Sequence, residues 1–176
     1  MLNPTDAGKK VGLIALGCGL GCSLPFLLPF IVVIFLILFQ PSVLKNSFQQ
    51  LEAEKTVSRI NESQEDYFSK NNRFASQIEE LKLDIKSETD SYSYGINVSD
   101  SKKSVKITAK AKNSDLLSFT GAVFAIKVEG YIKPITLTQI CQSKEASLTA
   151  PEMPQIVGIK IQCPPDSTST SSSISF

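Results

Sequence analysis

YSYGINVSDSKKSVKITAKA, residues 92–111, is read two residues at a time. Tyr92, Tyr94, Ile96 and Val98 alternate with Ser93, Gly95 and Asn97. After the turn-prone Ser99-Asp100-Ser101, Val105, Ile107, Ala109 and Ala111 alternate with Lys106, Thr108 and Lys110. A period of two puts every apolar side chain on one face of a pleated strand, so the stretch predicts two strands joined by a turn, with one face buried. Apolar runs at Ala122–Val128, Ile135–Ile140 and Ile156–Ile161 extend the pattern to a small antiparallel sheet. The segment after them, residues 166–176, is rich in Ser and Thr with almost nothing apolar to bury, and is expected to be disordered.

Upstream of Tyr92 the period becomes helical. Leu44, Phe48, Leu51, Val57, Ile60, Tyr67 and Phe68 recur at mostly helical spacings among Lys45, Glu52, Glu54, Lys55, Arg59, Glu62 and Glu65. That amphipathic stripe needs a partner, and the following sheet is the obvious one. Asn71-Asn72 is the expected stop, because Asn tolerates the left-handed conformation at a helix end. Ser76-x-x-Glu79 then reads as a capping box opening a short helix through Ile78 and Leu81. The fold class is α+β, a long helix covering one face of a small antiparallel sheet.

Further upstream, residues 11–39 are 29 consecutive positions without a charge. As a helix the run would extend roughly 43 Å at about 1.5 Å per residue, against a hydrocarbon core of roughly 30 Å. It predicts a single transmembrane helix. A cleaved secretory signal fits poorly, since its apolar core is usually about 7–15 residues, and a lipid-acceptor reading of Cys18 leaves a long apolar stretch after the cysteine. Lys9 and Lys10 precede the run with no cationic excess after it, which places the N-terminus in the cytoplasm and the body outside it. Four segments follow: a cytoplasmic N-terminus (1–10), the transmembrane helix (11–39), an extracytoplasmic domain (40–165) and the Ser/Thr-rich tail (166–176). The expected location is the plasma (inner) membrane, with lipid as the first partner.

Within the run, Gly17-x-x-x-Gly21 offers a close helix-packing face and Pro25 and Pro29 predict a bend. Cys18 and Cys22, four residues apart, share one helical face beside the glycines and read as small apolar residues. Cys141 and Cys163 lie in the outer domain, where an oxidising compartment favours a disulfide over two independent thiols.

Enzyme chemistry finds little support. The chain has no histidine, the commonest general base and metal ligand. Glu79-Glu80 and Glu88-x-Asp90 are its nearest carboxylate groupings and read as solvated surface. No catalytic residue, cofactor site or metal site is expected. Lys102, Lys103, Lys106, Lys110 and Lys112 form a basic patch around the second strand, but a net charge of +1 disfavours a nucleic-acid partner. A solvated strand face is the plainer reading of those lysines, and a loosely bound DNA strand or anionic polysaccharide the functional one.

The stretch SRINESQEDYFSKNNRFAS, residues 58–76, with Leu81, Leu83 and Ile85 beyond it, then Tyr92-Ser93-Tyr94, Ser118-Phe-Thr-Gly-Ala-Val-Phe124 and two late cysteines, resembles the type IV pilin-like G and H family. That family is common in cyanobacteria and similar to pilins and the pseudopilins of type II secretion. The positions carrying the likeness are Asn61, Gln64, Tyr67, Phe68, Phe74, Tyr92, Tyr94 and Gly121, with Cys141 and Cys163 at the family's late cysteines. The resemblance implies a pilin-like architecture, with a membrane helix continuing into the amphipathic helix. It also implies a non-enzymatic role as an accessory or minor component, or partner, of a type IV pilus or type II secretion-like system, beside other pilin-like subunits. The front of the chain departs from true prepilins. Gly8 is followed by Lys9 and Lys10, and the apolar run carries no acidic residue. The alternative is therefore a permanently anchored binding module of the cell envelope that does not polymerise.

Overall fold

In a computed structural model, residues 24–38, 41–100, 102–158 and 160–175 are described. Two units result, one ending at Pro41 and one running from Ser42 to Phe176. The first contributes α1, Leu24–Leu38, a 15-residue helix that carries Pro25 in its first turn and continues through Pro29. No helix among the described residues is long and apolar enough to cross a membrane. α1 is the described part of the expected span. Gly17, Gly21, Cys18 and Cys22 lie outside the described residues.

The second unit begins on α2, Pro41–Asn71. Ala53, Val57, Ile60 and Gln64 have no solvent exposure, and Asn61 and Phe68 are buried beside them. This spacing is one helical face. The first twelve residues differ from expectation. Leu44 and Phe48 are more than 60% exposed and Leu51 is 47% exposed, because only the part of α2 from Ala53 onward lies over the sheet. Asn72 takes the left-handed conformation (φ 54°), and its N–H donates to the Phe68 carbonyl at 2.8 Å, closing the helix as Asn was expected to. A single 3-10 turn, Ile78–Leu81, follows.

The sheet comprises β1 (Tyr92–Asp100), β2 (Ser104–Ala111), β3 (Phe119–Ile126), β4 (Ile135–Ser143) and β7 (Ser167–Ser175), antiparallel throughout in the order β1-β2-β3-β4-β7. β5 (Gln155–Val157) and β6 (Lys160–Gln162) form a separate hairpin. Two expectations are corrected here. The 156–161 run is not a strand of the main sheet; Ile156 and Val157 are 40% and 52% exposed on the hairpin. The fifth strand is instead the Ser/Thr-rich tail, expected to be disordered, which pairs with β4 from Ser143↔Ser167 to Thr136↔Ser175. Backbone groups make a ladder whatever the side chains, and Thr and Ser carry no backbone penalty in a strand. Gln139 adds side-chain bonds across this pair, donating to Ser169 Oγ at 2.7 Å and the Ser171 carbonyl at 2.8 Å.

Register decides which face meets α2. Ile107, Gly121 and Ile140 stand side by side across β2, β3 and β4. α2 lies on that row. A Cβ at Gly121 would sit 2.5 Å from Asn61 Oδ1 and 2.6 Å from Val57 Cγ1, so helix and strand approach more closely than any side chain permits. Phe119 and Val123 flank the contact within the core, and Thr136 Oγ1 donates to Glu65 Oε1 at 2.7 Å, tying β4 to the helix. The opposite face of β3 is covered by the segment after β4. Thr120 Oγ1 donates to the Pro151 carbonyl at 2.6 Å, and Ser118 Oγ to that of Ser147.

Gly121→Ala is expected to lower unfolding stability by about 1–3 kcal/mol, the usual cost of overpacking a filled core. Urea denaturation of the variant alone and combined with Val57→Ala checks this: the second substitution should recover part of the loss, and additive losses would contradict a steric origin.

Candidate functional site

The residues with specific side-chain geometry gather at the end of α2 that meets the sheet. Gln64, fully buried, holds the chain after α2 with two bonds: its Nε2 donates to the Ala75 carbonyl and its Oε1 accepts from the Ala75 N–H, both at 2.9 Å. A buried amide satisfied this way mimics one rung of a strand ladder. It brings Phe74 back against Phe68, ring centroids 4.6 Å apart. Tyr92 stacks beside Tyr94 and meets Phe119 at a tilt, each pair 6.3 Å between centroids, and its hydroxyl donates to the Leu117 carbonyl at 2.8 Å. Burial raises the pKa of both Tyr92 and Tyr94, which keeps both phenols neutral.

Just outside this seam lies a charged knot. The Glu80 carboxylate accepts from Ser76 Oγ and Ser76 N–H, both at 2.8 Å, from the Tyr67 hydroxyl at 2.8 Å and from Arg73 at 2.9 Å. The Arg73 guanidinium also donates to the Tyr67 hydroxyl and lies 5.1 Å from its ring centre. The Ser76 hydroxyl, the Tyr67 hydroxyl, the Ser76 amide and Arg73, in decreasing order, hold the Glu80 carboxyl at about 2, below its ordinary 4.5. This corrects the expected capping box. The carboxylate that reaches back to Ser76 belongs to Glu80, one residue beyond Glu79, and the N-cap of the 3-10 turn is Gln77, which makes no side-chain cap bond.

Residues 50–164 match the model of a family described as type IV pilin-like G and H. The chain belongs to that family. No curated protein and no solved structure matches it.

The positions on which the sequence likeness was read lie close together in the fold. Asn61, Gln64, Phe68, Phe74, Tyr92, Tyr94 and Gly121 are buried at or beside the seam between α2 and the sheet, apart from Gly121's lack of a side chain to bury. Tyr67 stands at its rim in the charged knot. Arg73, Ser76 and Glu80 were missed as a group; the signal present was a Ser–Glu spacing of four beside an Arg, which reads as ordinary surface. Asn61 Oδ1 is buried without a hydrogen-bond donor among the described residues. It faces the position a Gly121 Cβ would take, so a Gly121 Hα points at it, a weak donor in place of a strong one. No group of three or more His, Cys, Asp or Glu able to hold a metal occurs among the described residues.

Cys141 and Cys163 form a disulfide, with Cα atoms 5.7 Å apart, that fastens the end of the β5–β6 hairpin to β4. Bridging 22 residues stabilises by about 3 kcal/mol on the chain-entropy model. Cys141→Ser combined with Cys163→Ser should cost about that much in urea denaturation of the oxidised protein, and dithiothreitol should bring the wild type to the same midpoint.

Glu80 makes a pH prediction with a definite sign. Its folded pKa, about 2, lies below the unfolded value of 4.5, so its stabilising contribution is complete above about 4.5 and fades as pH falls toward 2. Glu80→Gln should therefore be less stable than wild type at pH 6 and converge with it near pH 2. A stability gap that stays constant across pH 6 to 2 would contradict the assignment.

Proposed function

We propose that this protein is a non-enzymatic, membrane-anchored pilin-like subunit, an accessory or minor component or partner of a type IV pilus or type II secretion-like system. The observation that carries the reading is the order of its parts: a run of 29 uncharged residues, 11–39, directly before a domain of the type IV pilin-like G and H family at 50–164. An anchor followed by a helix-led module suits a protein that presents a folded domain beside a membrane to other subunits. Lys9 and Lys10 ahead of the run orient the domain outside the cytoplasm. Exposed Leu44, Phe48 and Leu51, on the part of α2 beyond the sheet, supply an apolar stripe for a neighbouring helix.

A second reading is favoured by the missing carboxylate. The apolar run has no Glu or Asp, so a subunit lacks the buried charge that would pair with a neighbour and set its register in a filament. In this reading the chain stays anchored and acts alone as an envelope binding module.

Mass spectrometry of the mature membrane protein, protease accessibility of residues 44–176 in spheroplasts, and in vivo crosslinking separate the two. Crosslinks to pilin-family proteins, with loss of pilus assembly or secretion on deletion, support the first. An intact N-terminus, absence from sheared filaments and no pilin-family crosslink support the second. A protease-protected domain in intact spheroplasts contradicts both.

A further inference from the structure

The face of the sheet turned away from α2 carries a groove of about 400 Å³ over β1 and β2. Its floor follows from register: Gly95 pairs with Thr108 and Asn97 with Lys106, and Lys110 lies two residues beyond Thr108 on the same face. Gly95 keeps the floor open, since a Cβ there would stand 3.3 Å from Thr108 Oγ1 and rise into the groove. The wall is the segment after β4, lining the groove with Thr149, Ala150 and Glu152. Three bonds pin that wall: Thr120 Oγ1 to the Pro151 carbonyl at 2.6 Å, Ser118 Oγ to the Ser147 carbonyl, and Ser147 N–H to the Leu116 carbonyl at 3.0 Å. The groove is thus built before any ligand arrives, which lowers the ordering cost of binding.

Its chemistry is cationic and hydroxyl-compatible. Lys106, whose side chain is only 20% exposed, holds its ammonium 3.5 Å from Glu152, whose side chain is 87% exposed. That is a long contact to an acid in open solvent, worth little as an ion pair. Lys110 makes no ion pair among the described residues, while Lys103 and Lys112 have acidic partners in Asp100 and Glu88. The two groove lysines are four residues apart on one strand, about 13 Å at roughly 3.3 Å per residue. Thr108 lies between them and Asn97 stands beside Lys106 on β1, and the hydroxyl and the amide can each donate and accept. Among the described residues no aromatic side chain lines the groove, so they offer no platform for a nucleic-acid base.

We propose that this groove binds an acidic oligosaccharide, a hydroxyl-rich sugar chain with carboxylate or sulfate groups on separate units. Lys106 and Lys110 take two acidic groups, Thr108 takes a hydroxyl between them and Asn97 one beside Lys106, and Glu152 stays on Lys106 until an acidic group displaces it. The chemistry of the groove is independent of whether the chain joins a filament.

Fluorescence anisotropy on the full chain in neutral detergent tests this, with labelled oligogalacturonate, a sulfated oligosaccharide, a neutral glucose oligomer and single-stranded DNA of matched charge. Binding of an acidic saccharide and not of the neutral one is expected, and the tighter of the two acids identifies the preferred group. Lys106→Gln with Lys110→Gln should weaken it by about tenfold or more, the scale of a lost charge-assisted hydrogen bond. The charge-matched pair Lys70→Gln with Lys127→Gln should weaken it less than about twofold, as expected for screened surface charges. Glu152→Gln should strengthen it, while Glu129→Gln, which removes a charge elsewhere, should not. Lys110→Gln alone, at an exposed position, gives the same direction should the double variant fold poorly. Equal losses from the two lysine pairs, DNA binding as tight as saccharide binding, or no saccharide binding at all would overturn the proposal.

Discussion

A helix can lie flat on a sheet only as closely as the side chains between them permit, and here one position has no side chain. Gly121 stands at the centre of the sheet between Ile107 and Ile140, and α2 settles onto it through Val57 and Asn61. The close approach fixes the height of α2 above β3. It also decides how far Ile60 and Gln64 reach into the core, and where the chain leaving α2 must turn back. The rest of the unit from Ser42 to Phe176 is arranged around that separation.

The polar groups at the seam follow from it. A helix held so near a strand buries whatever lies on its lower face, including Asn61 and Gln64, and buried amides are costly unless bonded. Gln64 is fully satisfied by one residue of the following loop. Asn61 Oδ1 has no hydrogen-bond donor among the described residues and lies against the glycine beneath it. Beyond the seam the loop is locked a second time by Glu80, whose four bonds come from Ser76, Tyr67 and Arg73. Bidentate amide and charged knot together make an otherwise irregular segment specific.

Much of this was legible where side-chain pattern and environment agree. The alternation of Tyr92–Ala111 named β1 and β2 and their buried face, because one side of each strand meets the core and the other does not. β3 begins earlier than its apolar run, at Phe119, since Thr120 and Ser118 are covered from the other face and alternation is lost. Ile156–Ile161 alternates like a sheet strand yet forms a hairpin of its own, for no local signal tells a strand which partner it will find. Residues 166–176 read as solvated because composition reports on side chains, and β7 is held by its backbone. The candidate groove was half visible: the lysines on β2 stood out, while the wall opposite them comes from residues some forty positions later, brought there by the Thr120–Pro151 bond.

β7 reads Ser-Thr-Ser-Thr-Ser-Ser-Ser-Ile-Ser from Ser167 to Ser175, a near-repeat in which one alignment along β4 looks much like the next. Ladder bonds alone do not tell such alignments apart, and a strand without a distinct apolar face slides readily. Gln139 is the marker that breaks the degeneracy, because its amide reaches Ser169 and Ser171 only when Ile140 faces Ser171 and the irregularity falls between Ile140 and Cys141. With the Cys141–Cys163 disulfide just ahead of the strand, this glutamine sets the reading frame for a segment that carries almost no address of its own.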